Sequence, residues 1–284
     1  MSKIGLILEG GAFRGVYTAG VMDYLLEKNV TFPYVVGVSA GAGNALNFLS
    51  KQVGRTKKVI THEDREGYYG LGQLFENKKI LNLDRLVREF ALVDFPFDFE
   101  TFYANPTVME TVATCCETGK AVYFGDFRNN SQEYLFKTNM ASCSVPFICD
   151  PIEIDDLHYL DGSLADSVPF ERALEMGCDK VVIVMTKPEG GQATDYGKAK
   201  SLINLAYKNY PNLCETLMNR KNEYERQIEL MNRLEREGIA YVIRPESKTV
   251  GRFESDYEKL CECYDVAYHR MESLYADLMK FMEQ

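Results

Sequence analysis

Basic residues are scarce in this chain of 284 residues. The 32 Lys and Arg stand against 42 Asp and Glu, so the net charge is −10 and the pI is about 5.0. A nucleic-acid-binding protein needs a basic face to neutralise phosphates, so this balance argues against that class. It also disfavours electrostatic docking on anionic lipid, and we expect at most peripheral membrane contact, through an apolar surface. No feature of the sequence indicates an oligomeric state.

Long hydrophobic runs, histidines and paired cysteine motifs are also few or missing. No run approaches the ~18 apolar residues of a membrane span, and the start MSKIGLILEGG has too short an apolar stretch for a secretory signal. The eight cysteines contain no C-x-x-C, and the chain has only three histidines, so the spacing of a zinc site or a disulfide framework is absent. We therefore predict free cysteines, no metal, no cofactor and a cytoplasmic location.

The first part of the chain alternates strand and helix patterns. Residues 3–9 form an apolar run that ends in glycines, and Val16 to Lys28 follow with helical periodicity. A second apolar run at residues 34–38 precedes small, helix-tolerant residues from Ala40 to Phe48. This β-α-β-α order predicts an α/β fold with a parallel sheet covered by helices.

The rest of the chain gives weaker or simpler patterns. Residues 55–105 suggest loops with one or two helices, and they contain an aromatic-rich stretch, Phe90 to Tyr103. Val108–Cys115 and Ala121–Phe124 read as a hairpin of two strands. A helix at residues 169–176 precedes a buried strand at residues 181–185.

The last third of the sequence, residues 195–284, is mostly helical. Apolar residues fall on one face from Leu213 to Leu234, a strand is predicted at Ile239–Ile243, and the pattern from Tyr257 to Met282 predicts an amphipathic closing helix. No repeat or low-complexity linker interrupts the chain. Since large α/β domains often reach ~250 residues as one unit, we predict a single domain over residues 1–284.

The motif Gly37-Val38-Ser39-Ala40-Gly41 lies between a predicted strand and a predicted helix. This G-x-S-x-G arrangement is typical of a nucleophile elbow, in which small neighbours permit a sharp turn that projects the serine hydroxyl. The helix that starts there aims N–H groups at the site. The pattern predicts that Ser39 is a nucleophile, with Gly37 and Gly41 as supporting residues.

A glycine-rich loop, residues 10–15, follows the first strand. A P-loop would need Lys-Ser/Thr after the last glycine, where Val16-Tyr17 stand, and a dinucleotide fingerprint would want an acidic residue near the end of the second strand. The alternative is an oxyanion hole formed by backbone N–H groups, which alone explains why a serine elbow follows on the next strand.

The general base has two candidates on sequence grounds. A Ser39, Asp161, His269 triad preserves the chain order of α/β-hydrolases, but that fold places several strands before its elbow. Asp161-Gly162-Ser163 otherwise reads as either a structural turn or an acid site. His269 lies in the amphipathic closing helix, where a solvated histidine is the simpler interpretation.

Four segments together resemble the patatin-like phospholipases, most closely their small bacterial members. They are E-G-G-A-F-R-G at 9–15, G-V-S-A-G at 37–41, A-S-C-S-V-P at 141–146 and D-G-S at 161–163, and their order and spacing match the family. The resemblance implies a three-layer arrangement of helices around a mainly parallel sheet, and hydrolysis of lipid acyl esters by a histidine-free dyad. The chain departs from the family at Ala12, which replaces a loop glycine, and at Ser163.

The resemblance also implies roles for individual residues. Ser39 would be the nucleophile and Asp161 the base, with Gly162 supporting Asp161. The oxyanion loop would comprise Gly10, Gly11 and Ala12, although Ala12 tolerates a positive φ less well than glycine does. From the residues alone, Arg14 either fixes this loop or an anion of the substrate, or is a plain arginine on the helix surface.

Three functions stay open at this point. The same dyad could hydrolyse lipid esters, could serve an acyl transferase or thioesterase, or could be a slow site in a scaffold that binds acyl lipids. Aromatic residues between Phe90 and Tyr103 could be core or could line an acyl pocket.

Overall fold

The computed structural model describes residues 2–62 and 81–284. In this part of the chain eight strands form one mixed sheet in the order β5-β6-β3-β2-β1-β7-β8, with β4 paired to β3. The strands are β1 Ile4–Leu8, β2 Tyr34–Val38, β3 Val108–Cys115, β4 Ala121–Phe124, β5 Ile152–Ile154, β6 Leu157–Asp161, β7 Lys180–Val184 and β8 Ala240–Ile243. No helix in the described ranges is long and apolar enough to cross a membrane.

The centre of the sheet is parallel and buried on both faces. Strand β1 pairs in parallel with both β2 and β7, and all five residues of β1 and of β2 are buried. Helices cover both faces, so these strands are continuous apolar runs rather than alternating ones. Successive side chains enter different cores: Leu6 and Leu8 contribute to one, and Ile7 contributes to the other. The predicted α/β fold with helices around a mainly parallel sheet is confirmed.

Nine α-helices surround the sheet in the described residues. They are α1 Gly15–Glu27, α2 Ala40–Leu49, α3 Arg55–Ile60, α4 Phe99–Ala104, α5 Gln132–Cys143, α6 Phe170–Glu175, α7 Lys200–Ala206, α8 Pro211–Arg236 and α9 Tyr257–Glu283. Helices α1, α2 and α9 pack over one face of the sheet, and α6 and α8 pack over the other. Helix α9 is tied to α1 by the Tyr264 hydroxyl, which donates to the Asp23 carboxylate at 2.7 Å.

The stretch 55–105 holds more helix than its sequence suggested. It contains α3, α4 and a π-helical segment at Arg85–Asp94, while the polar run at 61–70 lies largely outside the described residues. Aromatic residues here serve two purposes: Phe90 and Phe102 are buried in the core, and Phe97 also lines a cavity.

Three elements were not predicted, although they prove central to the site. Helix α5 lacks a clear apolar periodicity because it buries polar residues such as Thr138, Asn139 and Ser142. Strand β5 has only three residues, and β6 runs antiparallel to β3. Strand β6 ends at Asp161, the candidate base, and α5 ends next to Ser144, which binds the Asp161 N–H.

Candidate active site

Ser39 occupies a strained turn between β2 and α2. Its backbone has φ 54° and ψ −123°, a conformation that costs a non-glycine residue roughly 1–3 kcal/mol. The residue is only 5% exposed. Close packing explains the two flanking glycines: a Cβ on Gly41 would lie 2.2 Å from the Leu8 carbonyl oxygen, and one on Gly37 would lie 2.6 Å from the Gly41 oxygen. Close packing therefore leaves room for no side chain at either of these two positions.

A second serine holds this turn in place. The Ser39 N–H donates to Ser142 Oγ at 2.7 Å, and Ser142 is fully buried in the last turn of α5. The A-S-C-S-V-P segment was the one sequence signal near this contact, and it indicated no role for its first serine. Ser142 is thus a positioning residue that was not foreseen.

The glycine loop lies directly beside the elbow. A Cβ on Gly10 would come within 3.1 Å of Ser39 Cβ and 2.9 Å of the Val38 oxygen. Gly11 has an extended φ of −175°, and a side chain there would meet Thr186 at 2.8 Å. Among the described residues none accepts a hydrogen bond from the N–H of Gly11 or Ala12. These donors are therefore available to an oxyanion.

Ala12 adopts a positive φ of 49°. Because a Cβ disfavours this left-handed region, the loop carries backbone strain at the position where the family has glycine. Ala12 still lines the cavity in front of Ser39 and keeps its N–H.

A buried network of one ion pair and several hydrogen bonds around Glu9 packs against the glycine loop. The Glu9 carboxylate forms an ion pair with Lys187 and accepts hydrogen bonds from the Tyr224 hydroxyl at 3.0 Å and from the Thr186 N–H at 2.7 Å. The Thr186 hydroxyl also donates to the Gly10 carbonyl oxygen at 3.1 Å. Burial alone would raise the pKa of Glu9, but the Lys187 charge and these hydrogen bonds hold that pKa below its usual range.

Asp161 ends β6 and is only 1% exposed. Its Oδ1 accepts from the Ser163 N–H at 2.8 Å, whereas its Oδ2 is buried and has no hydrogen-bond partner in the described part of the chain. A Cβ on Gly162 would lie 2.3 Å from the Val112 oxygen, so only glycine fits after the aspartate. The carboxylate thus has one oxygen held and one free to accept a proton.

The end of α5 joins the two halves of the candidate dyad. Ser142 binds the Ser39 N–H, and the Ser144 carbonyl oxygen accepts from the Asp161 N–H at 2.8 Å. Cys143 lies between these serines, and burial together with the Asp161 charge raises the pKa of its thiol. Ser39 Oγ and Asp161 do not hydrogen-bond in this structure. Catalytic hydrogen bonds often close only when substrate binds.

The three histidines lie in other surroundings. His269 is exposed on α9 and faces Glu272 at 3.3 Å, His158 pairs with Glu117 at 2.9 Å, and His62 stacks on Phe90. No hydrogen bond among the described residues joins a histidine to Ser39 or Asp161. Nor does any group of three or more His, Cys, Asp or Glu within residues 2–62 and 81–284 have the arrangement of a metal site.

Ser39 faces a mostly apolar cavity of about 160 Å³. The side chains that line it include Phe13, Leu46, Ile60, Phe97, Phe136 and Phe253. An apolar cavity of this kind suits a hydrocarbon chain, because such a chain gains free energy by leaving water.

Known proteins resemble this chain in sequence and in fold. A family model described as patatin-like phospholipase matches residues 6–174, and one described as a domain of unknown function (DUF6363) matches residues 210–283. The chain is 28% identical over 198 residues to the uncharacterized protein YjjU of Escherichia coli (strain K12). This match covers 66% of the chain and 52% of YjjU, so the chain spans about half the length of that relative.

Solved structures include proteins with a similar fold. VipD from Legionella pneumophila aligns with 98% of this chain and 67% of its own, at a TM-score of 0.55 and 14% identity. The family match at residues 6–174 covers more than half of the chain and includes the glycine loop, Ser39 and Asp161. The protein belongs to the patatin-like phospholipase family.

Proposed function

We propose that this protein is a serine acyl hydrolase that cleaves carboxylic esters of lipids, with Ser39 as nucleophile and Asp161 as base. One observation carries the proposal: a buried serine on a strained elbow faces an apolar cavity, next to free loop N–H groups. Membership of the family supports lipid acyl hydrolysis in general. The finer assignments rest on the contacts described above.

The chemistry follows from these positions. Ser39 Oγ attacks the ester carbonyl carbon while its proton passes to Asp161 Oδ2, and the N–H groups of Gly11 and Ala12 stabilise the oxyanion. Asp161 returns the proton to the departing alcohol, which leaves an acyl-enzyme. Water, deprotonated by Asp161, then releases the acid and restores Ser39.

The position of the cavity supports an acyl-chain preference. The alcohol must leave on the side away from the apolar lining, so the chain length of the acid should affect the rate more than the alcohol's apolar bulk does. Any membrane contact would be peripheral. The eight cysteines form no disulfide among the described residues, which supports the cytoplasmic location that we propose.

The strained Ala12 favours a second candidate function, a slow site in an acyl-lipid-binding scaffold. An acyl transferase or thioesterase would use the same residues on another acceptor or donor. The scaffold would differ from the hydrolase in its rate of turnover, and the transferase or thioesterase would differ in its product or substrate. Ser39 would react in each case.

A serine-reactive fluorophosphonate with peptide mapping tests the proposal. We expect the label on Ser39, and we expect Ser39→Ala to lose both labelling and hydrolysis of a p-nitrophenyl octanoate substrate. Ser142→Ala is not a neutral control, because it removes the acceptor of the Ser39 N–H. Ser273→Ala, on the exposed face of α9, is a suitable one. A label that maps to Ser142 or Ser163 would contradict the assignment.

A further inference from the structure

An arginine from the last part of the chain reaches the segment that carries the candidate base. Arg220 lies on α8, within residues 210–283 and outside residues 6–174, which match the phospholipase family. The residue is only 7% exposed. Its Nε donates to the Ser163 carbonyl oxygen at 2.8 Å, and its Nη2 donates to Ser163 Oγ at 3.3 Å. The planar guanidinium therefore holds one residue by two hydrogen bonds.

Arg14, the arginine that the sequence pointed to, has a different position. It ends the glycine loop, and its backbone N–H donates to the Gly11 carbonyl oxygen at 3.1 Å. Its buried Nε has no hydrogen-bond partner among the described residues. Arg14 thus belongs to the loop, whereas Arg220 contacts the turn that follows the base.

Ser163 connects Arg220 to Asp161. Its N–H donates to Asp161 Oδ1 at 2.8 Å, in the short 3₁₀ helix Gly162–Leu164 that follows the aspartate. The Ser163 carbonyl oxygen, which Arg220 binds, also accepts from Ser167 Oγ at 2.7 Å. Ser163 is one of the two positions at which the chain departs from the family. A glycine or alanine there would keep the N–H and the carbonyl but would offer no hydroxyl to Nη2.

Opposite charges accompany this geometry. Asp161 Oδ2 and Arg220 Nη1 are both buried, and neither has a hydrogen-bond partner in the part of the chain that the structure describes. A buried carboxylate with an unpaired oxygen is unfavourable, and a nearby cation offsets part of this effect. Burial lowers the pKa of the Arg220 guanidinium, whereas the negative charge of Asp161 acts in the opposite direction. The two charges therefore stabilise each other across Ser163.

We propose that Arg220 is a positioning residue for Asp161, and that through Ser163 it fixes the orientation of the carboxylate that takes the Ser39 proton. The inference rests on the proposed function, because it takes Asp161 as the base. Arg220 acts through Ser163 and not on the substrate. The segment at residues 210–283 thus completes the active site. Without the guanidinium the carboxylate loses its fixed orientation, and a displacement of about 1 Å in an active site can lower the rate by about 10²-fold.

Steady-state kinetics with p-nitrophenyl octanoate test this role. Arg220→Gln should lower kcat by roughly tenfold to a hundredfold. KM should change little, because Arg220 is not among the residues that line the apolar cavity. Arg220→Lys keeps the charge but loses the planar pair of donors, so its kcat should lie between those of wild type and Arg220→Gln. An unchanged kcat in folded Arg220→Gln protein would overturn the positioning role.

Arg233→Gln is the control for the loss of a positive charge from α8. Arg233 is an exposed arginine on the same helix, where it lies 3.9 Å from Glu237. Its replacement removes the same charge without touching the contacts of Ser163, so kcat should equal that of wild type. A kcat lowered equally by Arg233→Gln and Arg220→Gln would show an effect of net charge and would contradict the inference.

A second background separates positioning of the base from a general structural role. The rate at which a fluorophosphonate labels Ser39 should fall by roughly tenfold to a hundredfold on Arg220→Gln in otherwise wild-type protein. In Asp161→Asn protein the same change should alter that rate by less than about twofold, because the residue through which Arg220 acts has already lost its function. Mass spectrometry follows the labelling. An equal loss in both backgrounds would show that Arg220 only supports the fold.

Ser163→Ala tests the same contact without changing the arginine, and it decides the question if Arg220→Gln does not fold. It removes the acceptor of Nη2 but keeps the N–H that binds Asp161, so kcat should fall by roughly threefold to tenfold with KM unchanged. Circular dichroism checks that each variant is folded. Wild-type kcat in both Ser163→Ala and Arg220→Lys would overturn the inference, whereas full activity of Asp161→Asn would overturn the proposed function.

Discussion

Asp161 offers a buried carboxylate oxygen that has no hydrogen-bond partner among the described residues, and the end of α5 binds the backbone N–H groups of both Asp161 and Ser39. If that oxygen takes the Ser39 proton, Asp161→Asn should keep the fold but lower kcat by about 10²–10⁴-fold, the cost of losing a general base. Steady-state kinetics with p-nitrophenyl octanoate measure this. His269→Ala should leave kcat unchanged, and a large loss in folded His269→Ala protein would contradict a histidine-free mechanism.

Ala12 is the residue where local strain can be relieved by a single change. Ala12→Gly removes the Cβ at φ 49°, so we expect a gain in the free energy of unfolding of roughly 1 kcal/mol, partly offset by greater chain entropy in the unfolded state. The hydrolysis rate should be equal or higher, since the N–H is retained. Urea titration and initial rates check both. A strongly slower Ala12→Gly variant would show that the strain itself serves the site.

The sequence predicted a catalytic role for a residue only where that residue belongs to a short motif. Ser39, the glycine loop and Asp161 follow from such motifs. Ser142 and Arg220 could not be placed, because their partners are 103 and 57 residues away and no local pattern encodes those contacts. The sequence showed Glu9 only as the first residue of the E-G-G-A-F-R-G motif. Its partners Lys187 and Tyr224 are distant in sequence and lie after β7 and on α8.

Helix α9 contacts α1 through the Tyr264 hydroxyl, which donates to the buried carboxylate of Asp23. Asp23 of α1 is 4% exposed, and burial raises its pKa to about 6 despite hydrogen bonds from the Tyr264 hydroxyl and the Gly54 N–H. A raised carboxyl pKa means that the folded protein binds the proton more tightly. This contribution to the free energy of unfolding therefore falls as the pH rises from about 4 to about 6, by up to about 3 kcal/mol.

Asp23→Asn should remove that part of the pH dependence and keep an acceptor for Tyr264. Urea unfolding of both proteins between pH 4 and pH 7 gives the difference. Asp277→Asn is the control, because this carboxylate is exposed on α9, the helix that carries Tyr264. Equal pH profiles for wild type and Asp23→Asn would contradict the raised pKa.

Elements with strong periodicity were predictable and irregular ones were not. Strands β1, β2 and β7 are apolar runs, and α9 repeats its apolar residues every three or four positions. Helix α5 buries polar side chains, among them Ser142, which binds the Ser39 N–H. Because polar residues occupy its buried face, the helix has no amphipathic pattern from which it could have been predicted. Whether residues 1–284 form a single domain stays a prediction, although α9 packs on α1 through the Asp23–Tyr264 bond.

At the scale of the whole molecule, net charge and the apolar cavity together set how the protein should meet lipid. A chain with a net charge of −10 has little electrostatic attraction to anionic vesicles, so adsorption should depend on apolar contact and change little with salt. Co-sedimentation with phosphatidylglycerol vesicles at low and at high salt measures this. Binding that is lost at high salt would instead indicate a basic surface.

The same cavity predicts a chain-length preference. Across p-nitrophenyl esters from acetate to decanoate, kcat/KM should rise, because each added methylene is worth about 0.8 kcal/mol when it is fully buried. A fall from acetate onward would favour a small-ester hydrolase.

The hydrogen bond between Glu9 and Tyr224 joins two residues that are 215 positions apart, one just before the glycine loop and one on α8. A nascent chain that stops before α8 contains Glu9 but not Tyr224. The negative charge of Glu9 is compensated only once β7 and Lys187, which follows it, have been synthesised. Contacts at such sequence separation form late, because the entropy of closing the loop is lost before the contact repays it. Ser39 and its turn are thus translated early, but we expect the glycine loop at residues 10–15 to become rigid only after most of the chain has left the ribosome.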